Sequence, residues 1–74
     1  AFIDNGLASY QDRYGLSARE VEVLREVLLG KDNQHIANDM SLALSTVKVH
    51  VHNILHKTGQ SNRQDLMRDF RMRS

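Results

Sequence analysis

The sequence predicts an all-α fold, and three observations predict it. Proline is absent and aromatics make up only 5% of the 74 residues, which favours short helices over a sandwich or barrel of strands. Apolar residues recur three and four apart in separate stretches, the spacing of one helical face. Residues suited to open a helix, Ser17, Asp32 and Asn62, stand before three of those stretches, and Gly30 and Gly59 close two of them. A chain of 8.5 kDa holds one small core and no second one. Hydrophobic residues at 41% and charged residues at 26% suit a globular domain and not a disordered segment.

In residues 1–15, Phe2/Ile3, Leu7, Tyr10 and Tyr14 form a stripe that fits an amphipathic helix. Gly6 weakens it by about 1 kcal/mol relative to alanine. This stretch reads as a linker or N-terminal helix, packed loosely on the rest of the chain. Ser17-Ala18-Arg19-Glu20 is a capping box, in which the serine hydroxyl and the glutamate carboxylate satisfy each other's backbone N–H groups. Val21, Leu24, Val27 and Leu28 then share one face, so the first firm helix runs from Ala18 to Leu29, with Gly30 as its left-handed stop.

Asp32 caps a second, short helix that turns Ile36, Ala37 and Met40 inward; His35 at its third position lacks the reciprocal half of a capping box. Ser41-Leu42-Ala43-Leu44 breaks the helical phase and is expected to be a tight turn with Leu42 facing the core. The third helix is expected from Ser45 or Thr46 to Lys57. Val47-Val49-Val51 alternates with polar residues as a strand would, but Ile54 and Leu55 break that alternation and complete a helical stripe with Val47 and Val51. Gly59 ends it. Asn62 caps a fourth helix from Arg63, with Asp65 in its first turn and Leu66, Met67 and Phe70 on one face.

Charge is unevenly spread. Residues 1–30 carry three arginines against five acids, and residues 31–74 carry seven Lys/Arg against four. No acid lies between Asp39 and Asp65, where Lys48, Lys57, Arg63, His50, His52 and His56 fall. Such a gap suits a surface that meets phosphate, and chance in a short chain is the competing account. Two short helices joined by about four residues, the second with a polar outer face, make a helix-turn-helix. Opposite the buried stripe of the third helix stand Ser45, Val49, His52, Asn53 and His56, bordered by Lys48 on one side and by Thr46, His50 and Lys57 on the other. Val49 is the apolar member of that face. A thymine methyl would give it a partner, and isolated exposed apolar residues are also ordinary.

Leu16-Ser17-Ala18-Arg19-Glu20, Glu22-Val23-Leu24, Gly30, Ile36-Ala37, Ser45-Thr46-Val47-Lys48, His50-Val51, Asn53-Ile54-Leu55, Lys57, Gly59 and Asn62-Arg63 occur in an order and spacing that resembles the LuxR-type (GerE-like) helix-turn-helix domain. The likeness runs from Leu16 to Phe70, and it divides the chain into residues 1–15 and a LuxR-type DNA-binding domain over residues 16–74. It implies a four-helix output domain of a bacterial transcription regulator that binds double-stranded DNA as a homodimer, with RNA polymerase as a further candidate partner. Carried over by position, it places Lys48, Val49 and His52 at base edges. Thr46, His50, Asn53 and Lys57 fall at phosphates, and Leu66, Met67 and Phe70 on the helix that supports dimerisation. In a chain this short, those last three are equally candidates for the core. Three positions depart from the family's habit. Ala43 replaces a serine that caps the third helix, which costs about 1 kcal/mol unless Ser45 or Thr46 caps instead; Thr58 replaces a leucine, which is expected to leave the helix end less well packed; and His52 stands where lysine or arginine is frequent.

Other functions find less support. The absence of cysteine excludes disulfides, thiolate zinc and a cysteine nucleophile. His52 and His56 share a helical face, but no carboxylate near in sequence completes a tetrahedron, and no metal site is expected. Serines, Asp39 and histidines form no nucleophile–base–orienter set and no glycine-rich phosphate cradle is present, so neither an enzyme, a cofactor nor a small-molecule ligand is expected. No apolar run reaches the roughly 18 residues that span a bilayer and no signal-peptide pattern opens the chain. A cytoplasmic location is expected, with tethering through an upstream domain left open. A protein-interaction module of sigma-factor-tail type, contacting RNA polymerase, shares the scaffold and is the alternative reading.

Overall fold

The computed structural model describes residues 2–73. Five helices account for most of them: α1 (Phe2–Tyr14), α2 (Ala18–Leu28), α3 (Asn33–Met40), α4 (Leu44–Thr58) and α5 (Arg63–Arg73). The fold is all-α, and no strand occurs among the described residues.

The capping box forms as read: Ser17 Oγ accepts from the Glu20 N–H at 3.1 Å, and Glu20 Oε1 accepts from the Ser17 N–H at 2.9 Å. Leu29 closes α2 as its C-cap and Gly30 follows at φ 89°, a left-handed position that costs glycine no Cβ clash. The buried face of α2 differs from the expected one. It comprises Glu20, Val23, Leu24, Val27 and Leu28, while Val21 is only half-buried. The reason is topological: α2 is packed on by all four other helices, so its covered arc is wider than one neighbour would demand.

Asp32 caps α3 by accepting from the His35 N–H at 2.8 Å. The helix ends on Ser41, which adopts a left-handed conformation (φ 55°, ψ 42°) that is uncommon for a residue with a Cβ. The Leu42 N–H then reaches the Ala37 carbonyl at 2.9 Å, and Leu42 packs against the core as expected. The turn is shorter than the sequence suggests, because α4 begins at Leu44. Ala43 is its N-cap and supplies no side-chain bond, so neither Ser45 nor Thr46 takes over the capping role. Ala43 already has the extended N-cap backbone (φ −67°, ψ 146°), which puts Ser45 and Thr46 inside the first turn, too late to cap it.

At the other end, Thr58 does not leave α4 poorly packed. It is 6% exposed, and its hydroxyl donates to the Ile54 carbonyl at 2.8 Å and the Leu55 carbonyl at 3.3 Å, satisfying the polar group that replaced an apolar one. Gly59 closes the helix at φ 72°. Asn62 opens α5, its Oδ1 accepting from the Asp65 N–H at 2.9 Å. Arg63 pins this start onto the turn between α2 and α3, donating to Asn33 Oδ1 at 2.6 Å and to the Lys31 carbonyl. Burial lowers the pKa of its guanidinium from the usual range, a desolvation cost that the two bonds offset.

Phe70, Leu24, Ile36, Ile54, Leu66, Val23, Val27 and Val47 form the fully enclosed centre. α1 is part of this body and not a loose leader. Leu7 and Tyr10 are 7% and 2% exposed, Ile3 and Tyr14 pack on the core from its edge, and the side chain of Phe2 lies outside the described residues. Tyr10 meets Phe70 edge-to-face with ring centroids 5.2 Å apart. Its hydroxyl donates to Asp69 Oδ2 at 2.7 Å, joined by Tyr14 at 3.4 Å, while Arg73 holds Asp69 Oδ1 at 2.9 Å. Burial pushes the Asp69 carboxyl up, but the Tyr10 hydroxyl and Arg73 pull it further down, to a net value below the ordinary one.

Candidate nucleic-acid interface

α4 owes its orientation to four buried residues, Val47, Val51, Ile54 and Thr58, which face α2 and α3 and turn the opposite arc to solvent. Ser45, Lys48, Val49, His52 and His56 are exposed on that arc, and Thr46, His50 and Asn53 are half-exposed at its flanks. Val49 is 56% exposed. Apart from Lys57, the polar side chains of this arc make no side-chain hydrogen bond or ion pair among the described residues. Most other charged groups are already engaged, as in Arg19–Glu22, Arg25–Asp4, Lys31–Asp39, Arg68–Asp65 and Arg73–Asp69. Donors with no intramolecular partner, on a helix that carries no acid, are free to bind an external acceptor.

Lys57 stands apart from the others expected at phosphate. Its Nζ lies 2.8 Å from Glu20 Oε1 and 3.4 Å from the Gly15 carbonyl, so its charge is turned back into the protein. The sequence reading missed Glu20 as a partner, although a signal existed: Glu20 is in phase with Val23, Leu24, Val27 and Leu28 on the covered face of α2, where a carboxylate needs a counter-charge. Burial pushes this carboxyl up, yet bonds from Lys57 and Ser17 bring it below the ordinary value.

The three residues expected to support dimerisation separate as well. Leu66 and Phe70 are 0% exposed within this chain's own core, and they have no surface to offer a second copy. Met67 is half-buried and lines a shallow groove on the outer face of α5 with Gln64, Arg68, Arg71 and Met72. Among the described residues, no group of three or more His, Cys, Asp or Glu is placed to hold a metal ion, and no helix is long and apolar enough to cross a membrane.

α3, a three-residue turn and α4 with its unpaired outer face define a helix-turn-helix, the class of unit whose second helix enters the major groove of DNA. Residues 14–70 match the family described as bacterial regulatory proteins, luxR family, and the chain belongs to it. It is 46% identical over 61 residues to the response regulator protein TmoT of Ectopseudomonas mendocina, covering 82% of this chain and 26% of that protein. To the response regulator protein TodT of Pseudomonas putida it is 47% identical over 53 residues, covering 72% of this chain and 23% of the relative. The chain thus spans about a quarter of the length of these relatives. No solved structure matches it significantly.

Proposed function

We propose that this chain is the sequence-specific DNA-binding unit of a larger bacterial response regulator, laying α4 in the major groove of its target. The observation that carries the reading is the outer arc of α4, where Lys48, His52 and their neighbours are exposed and, among the described residues, unpaired, on a helix free of acids. In this reading Lys48, Val49 and His52 meet base edges. Lys48 suits the paired acceptors of guanine, and Val49 suits a thymine methyl. Thr46, His50 and Asn53, at the flank of the arc, lie toward phosphates, which fix register without reading sequence. Two copies bind adjacent half-sites, with Met67 and Met72 on the outer face of α5 available to the second copy. The similarity to response regulators, each about three times as long, supports an upstream module that governs binding.

Selection of bound sequences from a random duplex library tests this. The expected result is a short enriched motif, repeated or inverted at a spacing near one helical turn of DNA, about 10 base pairs. Retention of all sequences alike would refute specific readout, and retention of none would refute DNA binding.

A further inference from the structure

The Lys57–Glu20 pair joins the proposed DNA-reading helix to the interior of the domain. Glu20 is 4% exposed and sits in the first turn of α2, where its Oε1 already accepts the Ser17 N–H. Lys57 is in the last turn of α4, and its ammonium reaches both that carboxylate and the carbonyl of Gly15, just beyond the end of α1. One cation therefore ties three helix ends together: the exit of α1, the entry of α2 and the exit of α4. A carboxylate so enclosed is tolerated because a full positive charge faces it. If the ammonium turned to a phosphate in solvent, Glu20 would be left with neutral Ser17 as its remaining bonded partner among the described residues. That loss is larger than one screened surface contact returns.

We propose that Lys57 is a positioning residue: acting through Glu20, it fixes the angle at which α4 leaves the body of the domain, and hence how Lys48, Val49 and His52 are presented, while contacting no phosphate itself. This rests on the DNA-binding function proposed for the chain. Residue composition alone points the other way, because a lysine at the edge of an acid-free helix is the ordinary phosphate ligand.

The test compares the wild-type chain with Lys57→Met, Lys57→Arg, Glu20→Gln and the Glu20→Gln/Lys57→Met double variant, all at a temperature where circular dichroism shows them folded. Affinity for the selected duplex is measured by fluorescence anisotropy across a salt series. Lys57→Met is expected to weaken binding about tenfold, within the range of coupling inside one ion-pair network, with an unchanged slope of log affinity against log salt. Glu20→Gln is expected to weaken it as well, although it removes a negative charge. The double variant should be no worse than either single one, and Lys57→Arg should largely restore binding. A role in stability alone would lower melting temperatures and leave these affinities in place, which overturns the proposal.

A slope reduced by about 0.9 in Lys57→Met is the signature of one lost phosphate contact and also overturns it, as does tighter binding by Glu20→Gln. Should the neutral variants not fold, the Lys57 ammonium signal and the Glu20 carboxylate shift of the wild type, compared with and without DNA by NMR, decide the matter. Unchanged signals support the positioning role and a moved pair refutes it. If the wild type retains no duplex at all, the DNA-binding reading falls and this one with it; if it binds and only the salt slope changes, this inference alone fails.

Discussion

Replacing Tyr10 tests whether α1 belongs to the folding unit. The ring is 2% exposed and meets Phe70 at 5.2 Å, so Tyr10→Ala leaves a cavity against the centre of the core. Truncations of buried aromatics to alanine cost about 3–5 kcal/mol, against a total stability of about 4–11 kcal/mol for a domain of this length. Tyr10→Phe keeps the ring and deletes the 2.7 Å bond to Asp69. A bond to a charged acceptor contributes about 1.5–3 kcal/mol. Here Asp69 keeps Tyr14 and Arg73 as donors, which brings the expected cost down to about 1–2 kcal/mol. Urea titrations followed by far-ultraviolet circular dichroism read both. With a slope of about 1 kcal/mol per molar urea for a small protein, Tyr10→Phe should lower the midpoint by about 1–2 M, and Tyr10→Ala should leave little or no folded baseline. If Tyr10→Ala costs less than about 1 kcal/mol, α1 is not docked on Phe70, and the α1–α5 contact is wrong.

The bare N-cap of α4 makes Ala43→Ser a stabilising change of about 1 kcal/mol, visible as a rise of about 4–8 °C in melting temperature; no rise would mean that Ala43 does not hold the N-cap geometry. Lys48→Ala should cost about 1–3 kcal/mol of binding to the selected duplex and relax preference at one base position, whereas a loss shared equally by all sequences would move Lys48 to the phosphates. If Val49 reads a thymine methyl, replacing thymine by uracil at one position of the duplex should weaken the wild type, and leave Val49→Ala indifferent to the exchange. The folded-state values of the Asp69 and Glu20 carboxyls lie below their ordinary ones. Their stabilisation is therefore fully present above the unfolded value, near about pH 4, and is lost as pH falls through the folded value. Asp69→Asn should be less stable than wild type at neutral pH and lose less between about pH 5 and 2, and equal acid sensitivity would contradict the assigned bonds.

Sequence makes legible the features decided within four residues. Ser17 with Glu20, Asp32 with the His35 amide and Asn62 with the Asp65 amide are each closed by atoms three positions apart, and residue type alone predicts them. The start of α4 is different. It depends on the left-handed backbone at Ser41, a conformation to which serine has no particular inclination, so the turn came out shorter than expected. Leu66 and Phe70 show a second limit. Helical phase establishes that they share a face, but not whether that face meets a second molecule or another part of the same one. Tyr10, far earlier in the chain, supplies the answer by packing on Phe70.

Glu20 carries a second signal in the sequence. As one half of a capping box it needs only Ser17. Taken with the period of α2, it falls at the head of the series completed by Val23, Leu24, Val27 and Leu28, and an ionised group in that series must find an opposite charge or lose its own. Few cations were eligible. Lys57 adjoins Thr58, which belongs to the buried stripe of α4, and it lies on the flank of the helix rather than at the middle of its outer arc, whereas Lys48 stands on the opposite border. A charge in phase with a buried stripe thus predicts that some distant lysine or arginine is already committed. A count of basic residues on a face overstates what that face can offer DNA until such commitments are subtracted. For α4 the subtraction leaves Lys48 as the lysine on the exposed arc without an ion pair among the described residues, so under the proposed function sequence readout would rest on one ammonium, one valine and the neighbouring imidazoles.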